Sequence, residues 1–279
     1  MLTEEAKAII RSAGGASHEA GALRALRGLS IDEFGELLLD TSDFPVLSGV
    51  LPHMPSDDVQ NKWTGAAGMK LLRESTVPFM RFVEQAYAVA RKATLDDVTV
   101  IDYGCGWGRY SRMMLKHTTP DKIWGLDPLD SSLQFCRQSG VKAHLRKIDP
   151  MPVTLPVDAP ADLALAFSVF THTSEKTTRA CLSALAGAVK AGGMLAFTIR
   201  PIEFWTLKGR PELAEQHASN GFAFAGDGRI MHGDEDTYGH ASMSRAFASQ
   251  LLRETGWEPV LFDHALCDEY QTRVAAIRA

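Results

Sequence analysis

Beyond residue 98 the chain switches to short apolar runs separated by segments whose apolar residues recur at spacings of three and four. Residues 98–102 and 122–127 read as short strands, each ending in an acid, Asp102 and Asp127. Residues 111–116, 131–139 and 176–190 read as helices set between strands. Such alternation predicts an α/β protein built on a parallel, doubly wound sheet, with ligands bound at the carboxyl ends of its strands.

Residues 1–94 carry a helical pattern instead. Thr3 is placed to cap a helix over residues 4–11 that Gly14 and Gly15 end, and residues 31–40 have helical spacing. A turn containing Pro45, Pro52 and Pro55 follows, and then Ser56, with Asp57 and Asp58, forms an N-cap and an acidic first turn. Pro78 stands near the start of a further amphipathic helix over residues 79–92. Residues 201–241 interrupt the alternation with a stretch rich in glycine, histidine and aromatics, after which Ser242 is placed to cap a helix reaching Thr255. The expected organisation is a helical cap or lid over residues 1–94 and an α/β domain over residues 95–279, with the insert 201–241 above its active site.

Composition narrows the function class. The 279 residues are 45% hydrophobic, enough for one large core with a subdomain. A net charge of −5, with no dense basic run, argues against nucleic acid as partner. Cys105, Cys136, Cys181 and Cys267 are dispersed and form no C-x-x-C pair, as expected of reduced thiols. The first residues lack a basic-then-apolar leader, and no apolar run approaches the ~20 residues of a membrane span. A cytoplasmic location away from membranes is expected; homodimerisation is left open.

The run Val98-Thr-Val-Ile-Asp102-Tyr-Gly104-Cys105-Gly106-Trp107-Gly108-Arg109 joins a strand end, a glycine-rich turn and a helix start. Glycines there let a ligand approach backbone that a Cβ would shield. The dinucleotide fingerprint G-x-G-x-x-G/A would put its third small residue at Arg109, whereas this chain has Gly108. A carboxylate at Asp102 would repel a pyrophosphate. It can accept from an ammonium group or hold the turn through backbone N–H groups. An adenosine cofactor bearing an amino acid fits better than NAD.

This segment resembles the glycine-rich first motif of the class I S-adenosylmethionine-dependent methyltransferases, and Asp102-Tyr-Gly-Cys-Gly-Trp-Gly-Arg109 is similar to the D-F-G-C-G-W-G-R form of a bacterial subgroup acting on small molecules or sugars. Residues 143–149, 162–172 and 190–200 resemble the third, fourth and fifth strands of that family, with Ala191 where a proline is usual, and residues 257–263 and 271–278 its last two. The resemblance implies a seven-stranded sheet with an antiparallel last strand. It implies S-adenosylmethionine as cofactor, cradled by Asp102, Gly104, Cys105 and Gly106. Asp127, followed by Pro128, would accept both ribose hydroxyls. Ile148 would cover the adenine and Asp149 accept from its amine, with Phe167 and Ser168 at the end of the fourth strand. Trp63, in Gln60-x-x-Trp63-Thr-Gly65, resembles an element that folds over the cofactor, although a tryptophan on an amphipathic helix is as readily core.

Methyl transfer needs alignment and water exclusion, and an oxygen nucleophile gains from a base with a pKa near 7. His172 and His240, with Tyr238 beside the latter, are the candidates for that role. His232, Asp234, Glu235, Asp236 and His240 could gather round a divalent ion, but acidic surface turns are common and no metal is expected. The expected activity is O-methylation of a small-molecule or sugar-like acceptor. N-methylation is the alternative. A nicotinamide-dependent oxidoreductase and a non-catalytic cofactor-binding protein stand behind it.

Overall fold

The computed structural model describes residues 2–227, 230–232, 235–264 and 271–279, with the side chains of 230–232, 235 and 236 left aside. Seven strands form one mixed sheet in the order β10 (Trp257–His264), β11 (Thr272–Arg278), β5 (Val189–Ile199), β4 (Ala161–Ala166), β1 (Val100–Tyr103), β2 (Ile123–Asp127), β3 (His144–Lys147), doubly wound as expected, with β11 the antiparallel last strand. The chain gathers into two compact units, residues 1–85 with 93–147, and residues 86–92 with 148–279.

The first unit opens with α1 (Glu4–Gly14), α2 (Glu19–Leu26) and α3 (Ile31–Leu39). Thr3 caps α1 through the N–H of Ala6, and Ser30 with Glu33 makes a capping box on α3. Ile10, Leu23, Leu26, Phe34 and Leu37 carry the apolar faces of these helices into a common core. Ser56 caps α4 (Asp57–Thr64), as its sequence promised, and α5 (Gly68–Leu71) runs on into a π-turn at Leu72–Thr76. That turn runs on without a break into α6 (Val77–Arg91), so Pro78 stands inside a continuous helical run, just after a π-turn has replaced the regular hydrogen-bond ladder.

Strands β1 (Val100–Tyr103), β2 (Ile123–Asp127) and β3 (His144–Lys147) pair in parallel. Helices α7 (Arg109–Met113) and α8 (Asp130–Gln138) follow β1 and β2. The N-terminal helices belong to this same core: Phe79 of α6 meets Tyr110 of α7 edge to face at 5.0 Å.

In the second unit β4 (Ala161–Ala166) pairs in parallel with β5 (Val189–Ile199) across helix α9 (Glu175–Ala188). The insert contains α10 (Glu203–Leu207), α11 (Pro211–Asn220), the strand pairs β6 (Phe222–Gly226) with β9 (Gly239–Met243) and β7 (Ile230–His232) with β8 (Glu235–Asp236). Helix α12 (Arg245–Glu254) leads to β10 (Trp257–His264), which pairs antiparallel with β11 (Thr272–Arg278), itself antiparallel to β5.

One boundary differs from expectation. Ser244, not Ser242, caps α12 by accepting from Phe247 N–H. Ser242 is the fourth residue of β9, fully buried, where its hydroxyl lies 2.5 Å from Trp205 Nε1 and 2.7 Å from His217 Nδ1. The sequence offers two serines two residues apart, and packing of the insert claimed the first. Among the described residues no helix is long and apolar enough to cross a membrane.

Candidate active site

The turn after β1 is wound by three glycines at positive φ, Gly104 (68°), Gly106 (56°) and Gly108 (82°), a region that side chains avoid. Their duties differ. A Cβ at Gly108 would lie 2.9 Å from Arg112 Nη1, 3.0 Å from Cys136 Sγ and 3.2 Å from Val141, so this glycine lets the turn pack on α8. Gly108, rather than the residue at the dinucleotide motif's third position, does this job. A Cβ at Gly106 would meet nothing closer than Trp63 Cε3 at 3.8 Å. A Cβ at Gly106 would clash with nothing, and Trp63 borders the position.

Two buried acids hold the turn. Asp127, at the end of β2, accepts from Gly106 N–H at 2.9 Å through Oδ2 and from Leu129 N–H at 2.9 Å through Oδ1. Each oxygen has a second lone pair for another donor. Burial raises the carboxyl's pKa above its usual value, against the opposing pull of these N–H groups. Asp102 supports the turn: its Oδ2 takes both the N–H of Ser111 at 2.8 Å and the hydroxyl of Ser111 at 2.6 Å. Gly108 stands at the N-cap of α7 with no side chain to offer, and Asp102 supplies that capping from the preceding strand. Asp102 is thus a support of the turn, with a pKa pushed by burial to about 6.

Behind the turn lies Arg112, which the sequence reading passed over. Its guanidinium is buried and donates to the carbonyls of Trp107 and His53 (2.9 Å to the latter) and to Ser139 Oγ. It ties the proline-rich turn, the glycine turn and the end of α8 together. Desolvation lowers its pKa to about 10. A buried arginine adjoining a glycine motif gives no periodic signal; only its three acceptors reveal its work. Trp107 is buried beneath it, with Arg112 Cζ 5.2 Å from the ring centre. Trp63 is half-buried and meets Phe135 edge to face at 6.0 Å. Cys105 is buried, and its thiol is pushed up by the neighbouring Cys136 thiol and by burial. Pro128 is half-buried next to Asp127.

The second unit holds the other candidates. Ile148 is buried, and Asp149 is exposed and accepts from Met151 N–H at 2.8 Å. Phe167 and Ser168, both half-buried, follow β4. Ser168 takes the left-handed conformation at φ 56°, its N–H bonded to Thr198 Oγ1 at 2.8 Å. A non-glycine residue there marks a constrained strand end.

His172, Tyr238 and His240, far apart in sequence, come together because β9 lies along the segment after β4. Gly239 N–H donates to the His172 carbonyl at 2.8 Å and Ala241 N–H to the Thr171 carbonyl at 2.9 Å. The rings of His172 and Tyr238 stack at 5.2 Å, and that of His240 is 5.4 Å from His172. Arg200, at the end of β5, joins them: Nη2 is 3.0 Å from His172 Nε2, while Nη1 is 3.1 Å from His240 Nδ1 and 2.6 Å from the Thr171 carbonyl. Sequence reasoning missed Arg200, because an arginine ending a strand has no spacing relation to histidines 28 and 40 residues away.

Of the acidic turn that the sequence offers as a metal site, Asp234 lies outside the described residues, as do the side chains of His232, Glu235 and Asp236; so does Cys267. Among the described residues no group of three or more His, Cys, Asp or Glu could hold an ion.

Residues 100–193, about a third of the chain, match the family model described as a methyltransferase domain. That domain implies S-adenosylmethionine as cofactor. No curated protein matches the chain in sequence. The fold is similar to that of magnesium protoporphyrin IX methyltransferase from Synechocystis, solved with bound S-adenosylhomocysteine (16% identity, 80% of this chain and 94% of that chain covered, TM-score 0.52). It is also similar to an S-adenosylmethionine-dependent methyltransferase from Clostridium acetobutylicum (15% identity, 75% and 95% covered, TM-score 0.51). A third similar structure is 1,6-didemethyltoxoflavin-N1-methyltransferase from Burkholderia thailandensis (15% identity, 90% and 91% covered, TM-score 0.50). The fold is the Rossmann-like fold of the class I S-adenosylmethionine-dependent methyltransferases, with a helical N-terminal region.

Proposed function

We propose that this chain transfers a methyl group from S-adenosylmethionine to a small-molecule acceptor. The observation that carries this is the glycine turn at Gly104–Gly108, bonded to Asp127 through Gly106 N–H and bordered by Trp63. The second lone pairs of Asp127 suit ribose hydroxyls, a charge-assisted contact from each oxygen. Ile148 and Asp149 are the proposed adenine contacts, Phe167 and Ser168 adjoin them in this reading, and Trp63 covers the cofactor. Bound there, S-adenosylmethionine supplies an already activated methyl group, so the protein's task is alignment and exclusion of water.

His172, Tyr238 and His240 are the proposed acceptor-handling group. Two of the fold relatives are named for small molecules, magnesium protoporphyrin IX and 1,6-didemethyltoxoflavin, in keeping with an acceptor of that size. O-methylation with a histidine base requires His172 or His240 to take a proton at a nitrogen that now faces Arg200. N-methylation makes no such demand, and that contact favours it as the second reading.

Calorimetric titration with S-adenosylhomocysteine, with NAD as control, tests the cofactor. Micromolar binding of the former alone is expected, weakened by about tenfold or more in Asp127→Asn at unchanged fold. No binding, or preference for NAD, sinks the reading.

A further inference from the structure

We infer that Arg200 is a positioning residue that locks His172 and His240 in fixed neutral tautomers, so that neither ring acts as a general base. A guanidinium has donors only, so any nitrogen it bonds must accept. His172 Nε2, 3.0 Å from Arg200 Nη2, therefore presents its lone pair to Arg200. His172 Nδ1 lies 2.7 Å from the carbonyl of Gly239, which can only accept, so Nδ1 carries the hydrogen. Both ring nitrogens of His172 are thereby assigned. His240 Nδ1, 3.1 Å from Arg200 Nη1, likewise accepts, which puts the proton of a neutral His240 on Nε2.

The frame that enforces this is rigid. Arg200 also donates to the Thr171 carbonyl at 2.6 Å, and its guanidinium lies over the Phe204 ring at 4.2 Å. The Thr171 carbonyl accepts from Ala241 N–H as well, and Met243 N–H donates to the carbonyl of Arg200. Backbone pairing of β9 thus fixes the same three residues that the guanidinium joins. His240 is exposed beside this buried arginine.

The consequence for the acceptor rests on the methyltransferase reading. A nucleophile that needs a proton removed by these rings, such as a sugar hydroxyl, finds their lone pairs engaged. The acceptor class that fits carries its own lone pair at neutral pH, as a carboxylate oxygen or a neutral amine or ring nitrogen does. That lone pair becomes the bond to the methyl carbon, and the electrons of the carbon–sulfur bond stay on sulfur. A carboxylate has no proton to lose, and an amine gives up its proton to solvent after transfer.

Long-range ¹H–¹⁵N correlation spectra of the protein labelled at histidine test the assignment without an acceptor, with His172→Gln and His240→Gln identifying the signals. At pH 7, His172 should show a protonated Nδ1 and a bare Nε2, and His240 the reverse. In Arg200→Gln, His240 should shift to averaged tautomers, whereas His172, its Nδ1 hydrogen still on the Gly239 carbonyl, should keep its tautomer and show a displaced Nε2 signal; Arg200→Lys, whose single ammonium cannot span both rings, should release at least one. Either ring in the opposite tautomer or doubly protonated in the native protein overturns the inference. So do spectra unchanged by Arg200→Gln. If that variant fails to fold, the native spectra and Arg200→Lys still decide. Titration with S-adenosylhomocysteine in the same samples is separate: locked tautomers without binding would end the methyltransferase reading and leave the role of Arg200 standing.

Discussion

Asp102 and Ser111 tie the end of β1 to the first turn of α7 through one carboxylate oxygen that accepts both the backbone N–H and the hydroxyl of the serine. This pair lets glycine occupy the N-cap position without leaving the helix start uncapped. The turn gains its close approach to a ligand and loses none of its anchorage.

The same burial makes Asp102 pH-sensitive. Its folded pKa of about 6 exceeds the ordinary carboxyl value, so the folded state holds the proton more tightly than the unfolded chain. The stability tied to this group is present below pH ~4 and falls as pH rises through ~6, by up to ~3 kcal/mol. Denaturant unfolding across pH 4–7 should show this slope in the native protein and lose it in Asp102→Asn, whose amide oxygen keeps the bonds to Ser111. Equal slopes in the two would assign the titration elsewhere.

Gly106 and Gly108 should respond differently to a methyl group. Gly108→Ala meets Arg112, Cys136 and Val141 in a left-handed backbone, and should lose about 2–4 kcal/mol of stability. Gly106→Ala meets only an ordinary contact with Trp63, so the backbone term of about 1–2 kcal/mol is what applies. Its affinity for S-adenosylhomocysteine should nonetheless collapse. Thermal melts and calorimetry on both variants separate the two duties; equal stability losses would refute the division.

Trp63→Ala should leave the melting temperature within a few degrees and weaken S-adenosylhomocysteine binding several-fold, because the ring is half-buried and borders the space over Gly106. A large drop in melting temperature with unchanged affinity would return this residue to the core.

Ser242→Ala strips the partner from Trp205 Nε1 and His217 Nδ1 inside the insert, each at about 1–3 kcal/mol. Burial already holds the His217 pKa below its ordinary value. A folded pKa lowered in this way leaves the insert's stability intact above pH ~6.5 and draws it down as pH falls further. Limited proteolysis of the insert should therefore quicken in the variant, and in the native protein on acidification.

Local chemistry made the framework legible. Asp102, Asp127 and the glycines between them announced two strand ends and a tight turn, because acids at strand ends and alternating glycines have few other uses. Thr3 and Ser56 marked helix starts, since a cap bond joins residues three apart and needs nothing distant. The periodicity likewise gave the α/β alternation, and the family resemblance implied the antiparallel final strand.

What the sequence could not decide was which lone pair goes where. Asp102 could serve an ammonium group or the turn, and only the tertiary structure brings Ser111 to its Oδ2. Ser242 could have capped a helix, and only the packing of Trp205 and His217 made it a buried bridge. His172 and His240 read as bases because histidine is usually free to be one; Arg200, brought in by the β5 strand, turned both lone pairs toward itself. Bonds of this kind form between residues tens of positions apart, and no spacing along the chain encodes them. The sequence determined the elements and the turn; the tertiary structure determined the partner of each polar atom.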